Sequence, residues 1–299
     1  MQDGAAVPRR LHPADAASLA ILSVVTLTLA PATWSGAPLT QSLALHAGLL
    51  AGYALLSRVL HDRPATLLRG VLVIGVMFTL YTTLGHVAFI AVPWDADPWL
   101  EAADRALFLG LSPSLLLAPL GATRWAEILS VFYAAFIPYL YLSIFLGLVG
   151  RPERERNEFV IGFATLYALS FLGYLFLPAR GPIVELAGQF PTPVQGGAFH
   201  RLVLRSVEAA GGPHGAFPSL HVGASFYAAL FDLRQGNTLR ALIYAPLLVL
   251  IVLATLVLRY HYLVDLVAGV ALALLANRVA RSRRAGRRDA ASLAAEVAS

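Results

Sequence analysis

Two short polar motifs stand at the starts of apolar segments in the second half of this chain. The first is Gly215-Ala216-Phe217-Pro218-Ser219-Leu220-His221, and the second is Arg259-Tyr260-His261-Tyr262-Leu263-Val264-Asp265. Proline suits the first turn of a helix, and the free backbone N–H groups at a helix start attract anions such as phosphate. We therefore expect Ser219 and His221 to lie beside an anion site at a helix N-terminus.

The second motif contains a spaced histidine and carboxylate. His261 and Asp265 are four residues apart, which places them on one helical face. Asp265 could accept a hydrogen bond from one imidazole nitrogen and leave the other facing a substrate, an arrangement that activates a nucleophile. A structural His–Asp pair that caps the segment explains this spacing equally well. For the first motif, the corresponding alternative is a proline-started helix with an interfacial histidine.

The elements that must position these motifs are apolar helices. Hydrophobic residues make up 58% of the 299 residues and charged residues 13%, about half the charge of a soluble domain. Mean hydropathy is +0.70. The sequence predicts an all-α, polytopic transmembrane helix bundle, because roughly 17–25 apolar residues cross a bilayer. We predict eight spans, of which the sixth is short: 16–31, 39–58, 68–92, 125–149, 157–177, 218–233, 238–258 and 260–281.

The basic residues indicate how the bundle is oriented. All 22 are arginine, so any phosphate clamp must use Arg or His. They concentrate in alternate connections and in a C-terminal cluster, and positive charge marks cytoplasmic segments. This pattern places both termini in the cytoplasm and the two motifs on the opposite side. The terminal cluster is typical of an anchor to anionic membrane lipids; no nucleic acid is expected, because no recognition module surrounds it. Its members are Arg278, Arg281, Arg283, Arg284, Arg287 and Arg288.

Two outer segments are too long to be plain turns. Residues 98–120 are mixed in character and predict one short amphipathic helix in the membrane interface. Residues 178–217 are rich in Gly and Pro, and long loops of this kind are commonly functional. At the start of the chain, Ala30-Pro31-Ala32 after a short apolar stretch could mark a cleaved signal peptide, although the proline argues against cleavage.

Several kinds of chemistry are excluded or disfavoured. The chain has no cysteine, which rules out disulfides, thiolate catalysis and cysteine metal sites. It has no His-Glu-x-x-His and no nucleotide-binding fingerprint, so we expect no metal and no cofactor. We divide the chain into N-terminal transmembrane helices (1–97), a catalytic helix bundle (98–283) and a basic tail (284–299).

The two motifs together resemble the type 2 phosphatidate phosphatase superfamily. Pro218-Ser219-Leu220-His221 is followed about forty residues later by His261-Tyr262-Leu263-Val264-Asp265-Leu266-Val267-Ala268-Gly269. Gly215 to His221 is most similar to the inositol phosphorylceramide synthase-like branch. Asp104-Arg105-Ala106-Leu107-Phe108 and Leu177-Pro178-Ala179-Arg180-Gly181-Pro182 also resemble that branch. The likeness runs from about Asp104 to the end of the eighth span.

The resemblance implies a metal-independent mechanism with two steps. His261 would attack phosphorus with Asp265 orienting it, and His221 would protonate the leaving oxygen and then activate the acceptor. Arg180, Ser219 and the helix N-terminus would hold the phosphate oxygens. The chain departs from the superfamily pattern at two cations, where Gly173 replaces a lysine and Thr255 replaces an arginine. Arg259 and His214 are candidates to supply the missing phosphate contacts.

The function expected from the motifs is phosphoryl transfer on a lipid phosphoester at the outer face of a bacterial plasma membrane. The acceptor is water in a phosphatase, or an alcohol such as inositol in a headgroup phosphotransferase. One alternative is a lipid transporter or flippase, which usually shows repeated halves and ionisable groups near the midplane. Only His46 and His86 are candidates there, and no repeat is visible. A catalytically inactive membrane scaffold is the other alternative.

Overall fold

The computed structural model describes residues 11–34, 38–60 and 66–298, the side chains of 86 and 283–298 excepted. Arg9, Arg10 and Arg63 therefore lie outside the described residues, as do the side chains of Arg283, Arg284, Arg287 and Arg288 in the terminal cluster. The described part is helical and has no strand. Its helices are α1 (Pro13–Trp34), α2 (Thr40–Val59), α3 (Thr66–Ala91), α4 (Asp97–Leu107), α5 (Pro113–Gly121), α6 (Arg124–Leu148), α7 (Glu153–Phe176), α8 (Pro182–Glu185), α9 (Ala198–Ala209), α10 (Leu220–Arg234), α11 (Thr238–Val257) and α12 (Leu263–Ala298).

Within the described residues, seven helices are long and apolar enough to cross a membrane, namely α1, α2, α3, α6, α7, α11 and α12. The predicted all-α transmembrane bundle is confirmed, and the chain is an integral membrane protein. The sixth predicted span is α10, whose 15 residues measure about 22 Å, less than the roughly 30 Å hydrocarbon core. It packs against α7, α11 and α12, so neighbouring helices surround this short element.

The segment 98–120 contains two helices, and the prediction of one is wrong. Helix α4 ends at Leu107, and Leu109 and Gly110 then adopt left-handed backbone conformations with φ of 55° and 87°. Pro113 starts α5, as proline commonly does at a first helical position. The acidic side chains of α4 also point inward, because Asp97 and Asp104 are buried.

The largest hydrophobic core joins the N-terminal helices to the rest of the bundle. It packs side chains of α1, α2 and α3 against those of α7, α10 and α12. Helix α7 is the centre of this core, where Leu166, Phe171 and Leu175 have no exposed surface. The division into separate domains at 97 and 283 stays a prediction.

Ion pairs occupy the end of the bundle opposite the two motifs. Arg69 at the start of α3 binds Asp15 of α1 at 2.8 Å, and Arg234 at the end of α10 binds Glu158 of α7 at 2.6 Å. These pairs are largely buried, so each charge has the partner that burial requires.

Candidate active site

Helices α10 and α12 begin at the same end of the bundle and touch through their backbones. Gly269 of α12 makes this possible, because a Cβ at that position would lie 2.4 Å from the carbonyl oxygen of Ser219. Small residues allow such close approach between membrane helices. Ser219 is the N-cap of α10. Pro218 therefore precedes the helix, and the prediction that it lies in the first turn is wrong. The Phe217–Pro218 peptide bond is cis.

This crossing brings the two histidines and the serine together. His221 Nδ1 lies 3.2 Å from His261 Nε2, and Ser219 Oγ lies 3.3 Å from the same nitrogen. The two imidazole rings meet edge to face, with an angle of 71° between their planes. Nε2 of His261 is thus contacted by two side chains that lie 42 and 40 positions earlier in the sequence.

The hydrogen bonds of His261 define which of its nitrogens carries the hydrogen. Nδ1 lies 2.8 Å from the carbonyl oxygen of Ala216 and 3.3 Å from Asp265 Oδ2, and a carbonyl oxygen can only accept. Nδ1 therefore carries the hydrogen, and Nε2 presents its lone pair toward Ser219 and His221. Asp265 Oδ2 also accepts the N–H of Tyr262 at 2.8 Å, so the carboxylate is itself held in place.

Aromatic side chains of α6 hold the ring of His221. The ring centroids of Tyr133 and Phe136 lie 4.7 and 4.3 Å from that of His221. The hydroxyl of Ser225 donates to the His221 carbonyl at 2.6 Å. The imidazole is thus packed on α6 and meets His261 through its Nδ1 edge.

Arg180 and His214 line the same cavity as the two histidines. The cavity has a volume of about 230 Å³. Arg180 donates from Nη1 to Asp95 Oδ2 at 2.9 Å, and its guanidinium lies over the ring of Phe89. His214 donates from Nδ1 to the carbonyl oxygen of Gly212 at 2.8 Å, because that oxygen can only accept. Arg180 is half-exposed, so a bound anion could reach its guanidinium.

Arg259 is not brought to the cavity. Its backbone has a φ of 68°, and its guanidinium donates to the carbonyl oxygen of Thr192 at 2.8 Å and stacks on Phe190. The left-handed backbone turns the side chain toward the 190–192 segment, away from His261. Of the predicted site residues, the structure therefore groups His261, His221, Asp265, Ser219, Arg180 and His214, and it separates Arg259 from them.

The structure also gives a reason for Gly173 at the place of a family lysine. A Cβ at Gly173 would lie 2.4 Å from Pro218 Cδ and 3.0 Å from the carbonyl oxygen of Phe217. Helix α7 is in backbone contact with the segment that leads into α10. No larger side chain fits there unless Phe217 and Pro218 move.

Two aspartates of α4 join the site, and the sequence analysis missed their part in it. Asp104 accepts the backbone N–H groups of Leu263 and Val264, both at 2.8 Å, and so caps the start of α12. Asp97 accepts the N–H groups of Arg180 and Gly181 at 2.6 and 2.7 Å. A signal was available, because positions 97, 101 and 104 lie on one face of a helix and carry only acidic residues.

Burial sets the protonation of His261. Desolvation lowers the pKa of its imidazole to about 4, and the hydrogen bond to the Ala216 carbonyl opposes that shift. The ring is therefore neutral at physiological pH. Burial also raises the pKa of Asp97 to about 6, against the two N–H groups that it accepts.

The lowered pKa of His261 predicts a loss of stability in acid. The unfolded chain takes up this proton near pH 6.5, whereas the folded protein resists it until about pH 4. The contribution of His261 to the free energy of unfolding is thus present above pH 6.5 and is lost as the pH falls toward 4. Between pH 7 and pH 5 the melting temperature should fall further for the wild type than for His261→Gln, which has no titrating ring. Equal falls in the two proteins, measured by thermal unfolding in detergent, would contradict the burial of a neutral His261.

Fold and site together define a class: a helical membrane protein with two histidines that meet beside a helix start at one end of its bundle. The model of the PAP2 superfamily matches residues 98–279, more than half of the chain, and the chain belongs to that superfamily. No curated protein and no solved structure matches it. The matched residues include α4 and both motifs but leave out α1, α2 and α3. Phosphatase or phosphotransferase chemistry on a phosphoester is the activity that this membership supports.

Proposed function

We propose that the protein transfers the phosphoryl group of a lipid phosphoester through a phosphohistidine at Nε2 of His261. One observation carries the proposal: Nδ1 of His261 is held by Ala216 and Asp265, so its Nε2 lone pair faces His221 and Ser219. A nucleophile beside an acid–base group, and itself oriented by a third group, is the arrangement that covalent catalysis requires.

In the first half-reaction, Nε2 of His261 forms a bond to phosphorus while the bond from phosphorus to the lipid oxygen breaks. The negative charge of the bound phosphate favours the protonated form of His221, which gives its proton to that departing oxygen. The phosphohistidine gains positive charge on its ring, which Asp265 stabilises through Nδ1–H. Binding of the phosphoryl group replaces the direct contact between the two imidazoles.

In the second half-reaction, neutral His221 removes a proton from the acceptor hydroxyl as its oxygen attacks phosphorus. The bond from phosphorus to His261 breaks, and both histidines return to their starting states. Water as acceptor makes the protein a lipid phosphatase, and an alcohol such as inositol makes it a headgroup phosphotransferase. The mechanism uses no metal or cofactor; among the described residues no three His, Asp or Glu side chains group as metal ligands.

Several groups are placed to hold the phosphate oxygens. Ser219 offers its hydroxyl at the start of α10, and Arg180 and His214 line the cavity beside it. Charge develops on these oxygens during transfer, and fixed donors there contribute much of the catalysis. Arg259 can join them only if it leaves the Thr192 carbonyl. The arginine pattern supports a site on the extracytoplasmic face with both termini in the cytoplasm.

The test is an assay of the purified chain in nanodiscs with a lipid phosphate as substrate. We expect inorganic phosphate to be released in the presence of a metal chelator and orthovanadate to inhibit the release. Parallel reactions with inositol, followed by mass spectrometry of the lipids, distinguish water from an alcohol as the acceptor. Transport of the lipid across proteoliposomes with no product formed would contradict the proposal and favour a flippase.

A further inference from the structure

The cavity beneath the two histidines extends deep into the bundle. It runs along α7 from Tyr174 near the histidines to Phe163, eleven residues earlier, which is about 16 Å of helix. This length exceeds half of the roughly 30 Å hydrocarbon core. Ile74 of α3 and Ile144 of α6 line its deep end. The cavity therefore reaches well beyond what a phosphate group needs.

The charged and ionisable groups stand at one end of this cavity only. Among the described lining residues, Arg180 and three histidines lie at the outer end, and the deep end is lined by aliphatic and aromatic side chains. Phenol groups, such as that of Tyr81 close to His214, occupy the intermediate depth. A ligand with a charged head and an apolar tail matches this polarity.

The cavity opens sideways between α3 and α6. Helix α3 packs on α1 and α7 but makes little contact with α6, while both α3 and α6 pack against α7. Three lining side chains stand at this opening: Phe78 of α3 is 59% exposed, and Ile137 and Tyr141 of α6 are 49% and 46% exposed. Because both helices span the membrane, the surface that these residues share faces lipid.

We propose that this slot holds a hydrocarbon chain of the lipid phosphoester and that α3 forms its selective wall. The inference rests on the proposed function. The volume of 230 Å³ is below the roughly 300–1,000 Å³ of sites that enclose a whole drug-sized ligand. The slot therefore has room for one hydrocarbon chain and not for a whole lipid, whose other parts extend between α3 and α6 into the bilayer.

Helix α3 lies outside the residues that match the superfamily model, yet it supplies five of the lining side chains. These are Ile74, Met77, Phe78, Tyr81 and Thr82. The catalytic groups come from the matched residues, so chemistry and chain selection are divided between two parts of the sequence. Changes in α3 should alter which lipid is used and leave the reaction itself intact.

The experiment compares hexadecyl phosphate with octyl phosphate as substrates of the full chain. Met77→Trp fills the slot at half its depth, so its ratio of kcat/KM for hexadecyl over octyl phosphate should fall at least about tenfold, since methylenes in an apolar pocket carry discrimination of that order. Val71→Trp is the matched control, because Val71 is 55% exposed on α3 and does not line the cavity. Its ratio should equal that of the wild type. An unchanged ratio in Met77→Trp would overturn the inference.

A second measurement does not depend on turnover. Hexadecyl phosphate carrying a terminal diazirine is photolysed with the protein, and the labelled peptides are mapped by mass spectrometry. Labels near Ile74, Ile144 and Phe163 that unlabelled hexadecyl phosphate removes support the slot, even if the wild type releases no phosphate and the proposed function fails. Labels confined to lipid-facing positions such as Val71 overturn it.

Discussion

His261→Ala should abolish phosphoryl transfer, lowering kcat by at least about 10³-fold, as expected for loss of a covalent nucleophile. The physical reason is that the lone pair at Nε2 of His261 is the proposed attacking group, and no neighbouring group replaces it. Ser219 Oγ and His221 Nδ1 both contact that same nitrogen. The measurement is phosphate release by the purified variant, with expression and melting temperature recorded beside it.

The matched control for this variant is His46→Ala. His46 is also completely buried, but its two nitrogens bond to the Ser42 carbonyl and the Thr83 hydroxyl, away from the site. It should lose stability and keep its turnover per folded molecule. His221→Ala gives a further distinction with an aryl phosphate, whose departing oxygen needs no proton. This variant should retain a phosphorylated His261 after a rapid quench, since no base then activates the acceptor. Turnover retained by His261→Ala would end the phosphohistidine mechanism.

The helices could be predicted from the sequence because their signal is local. A run of apolar residues must form a helix to satisfy its backbone within the bilayer, whatever its neighbours are. Seven of the predicted spans meet the length and hydropathy that crossing requires. The remaining one is the sixth, α10, which the sequence already indicated to be short. The meeting of His221 and His261 followed from motif resemblance combined with the orientation of the spans.

What the sequence could not give is the way side chains pair across distant segments. The acidic residues of 95–104 lie between two predicted spans, and the local sequence does not identify their partners. Asp104 lies about 160 residues from the N–H groups that it accepts. The orientation of the Arg259 side chain could not be predicted from the sequence either, because it depends on one left-handed backbone conformation and on the carbonyl of Thr192.

The acidic cap on α12 leads to the second large effect. Asp104→Ala should lower kcat by about 10- to 100-fold, because it leaves two partly buried N–H groups without their acceptor, at up to about 1–3 kcal/mol each. These N–H groups belong to Leu263 and Val264, immediately after His261 and Tyr262. A carboxylate at a helix start is further stabilised by the helix dipole, so its loss lets the first turn of α12 move. His261 and Asp265 then no longer share one fixed geometry.

Asp104→Asn separates a positioning effect from a general loss of stability. The amide keeps one acceptor oxygen, so one of the two N–H groups stays bonded, and the loss of kcat should fall between that of wild type and alanine. KM should change little, because Asp104 lies behind α12 and does not line the cavity. Glu101→Gln is the matched control: Glu101 is buried on the same helix, but it bonds to Ser112 and Arg105 and not to α12. If Glu101→Gln lost as much kcat as Asp104→Ala, α4 would act only through packing. A loss confined to position 104 would show that the activity of His261 depends on the Asp104 cap of α12.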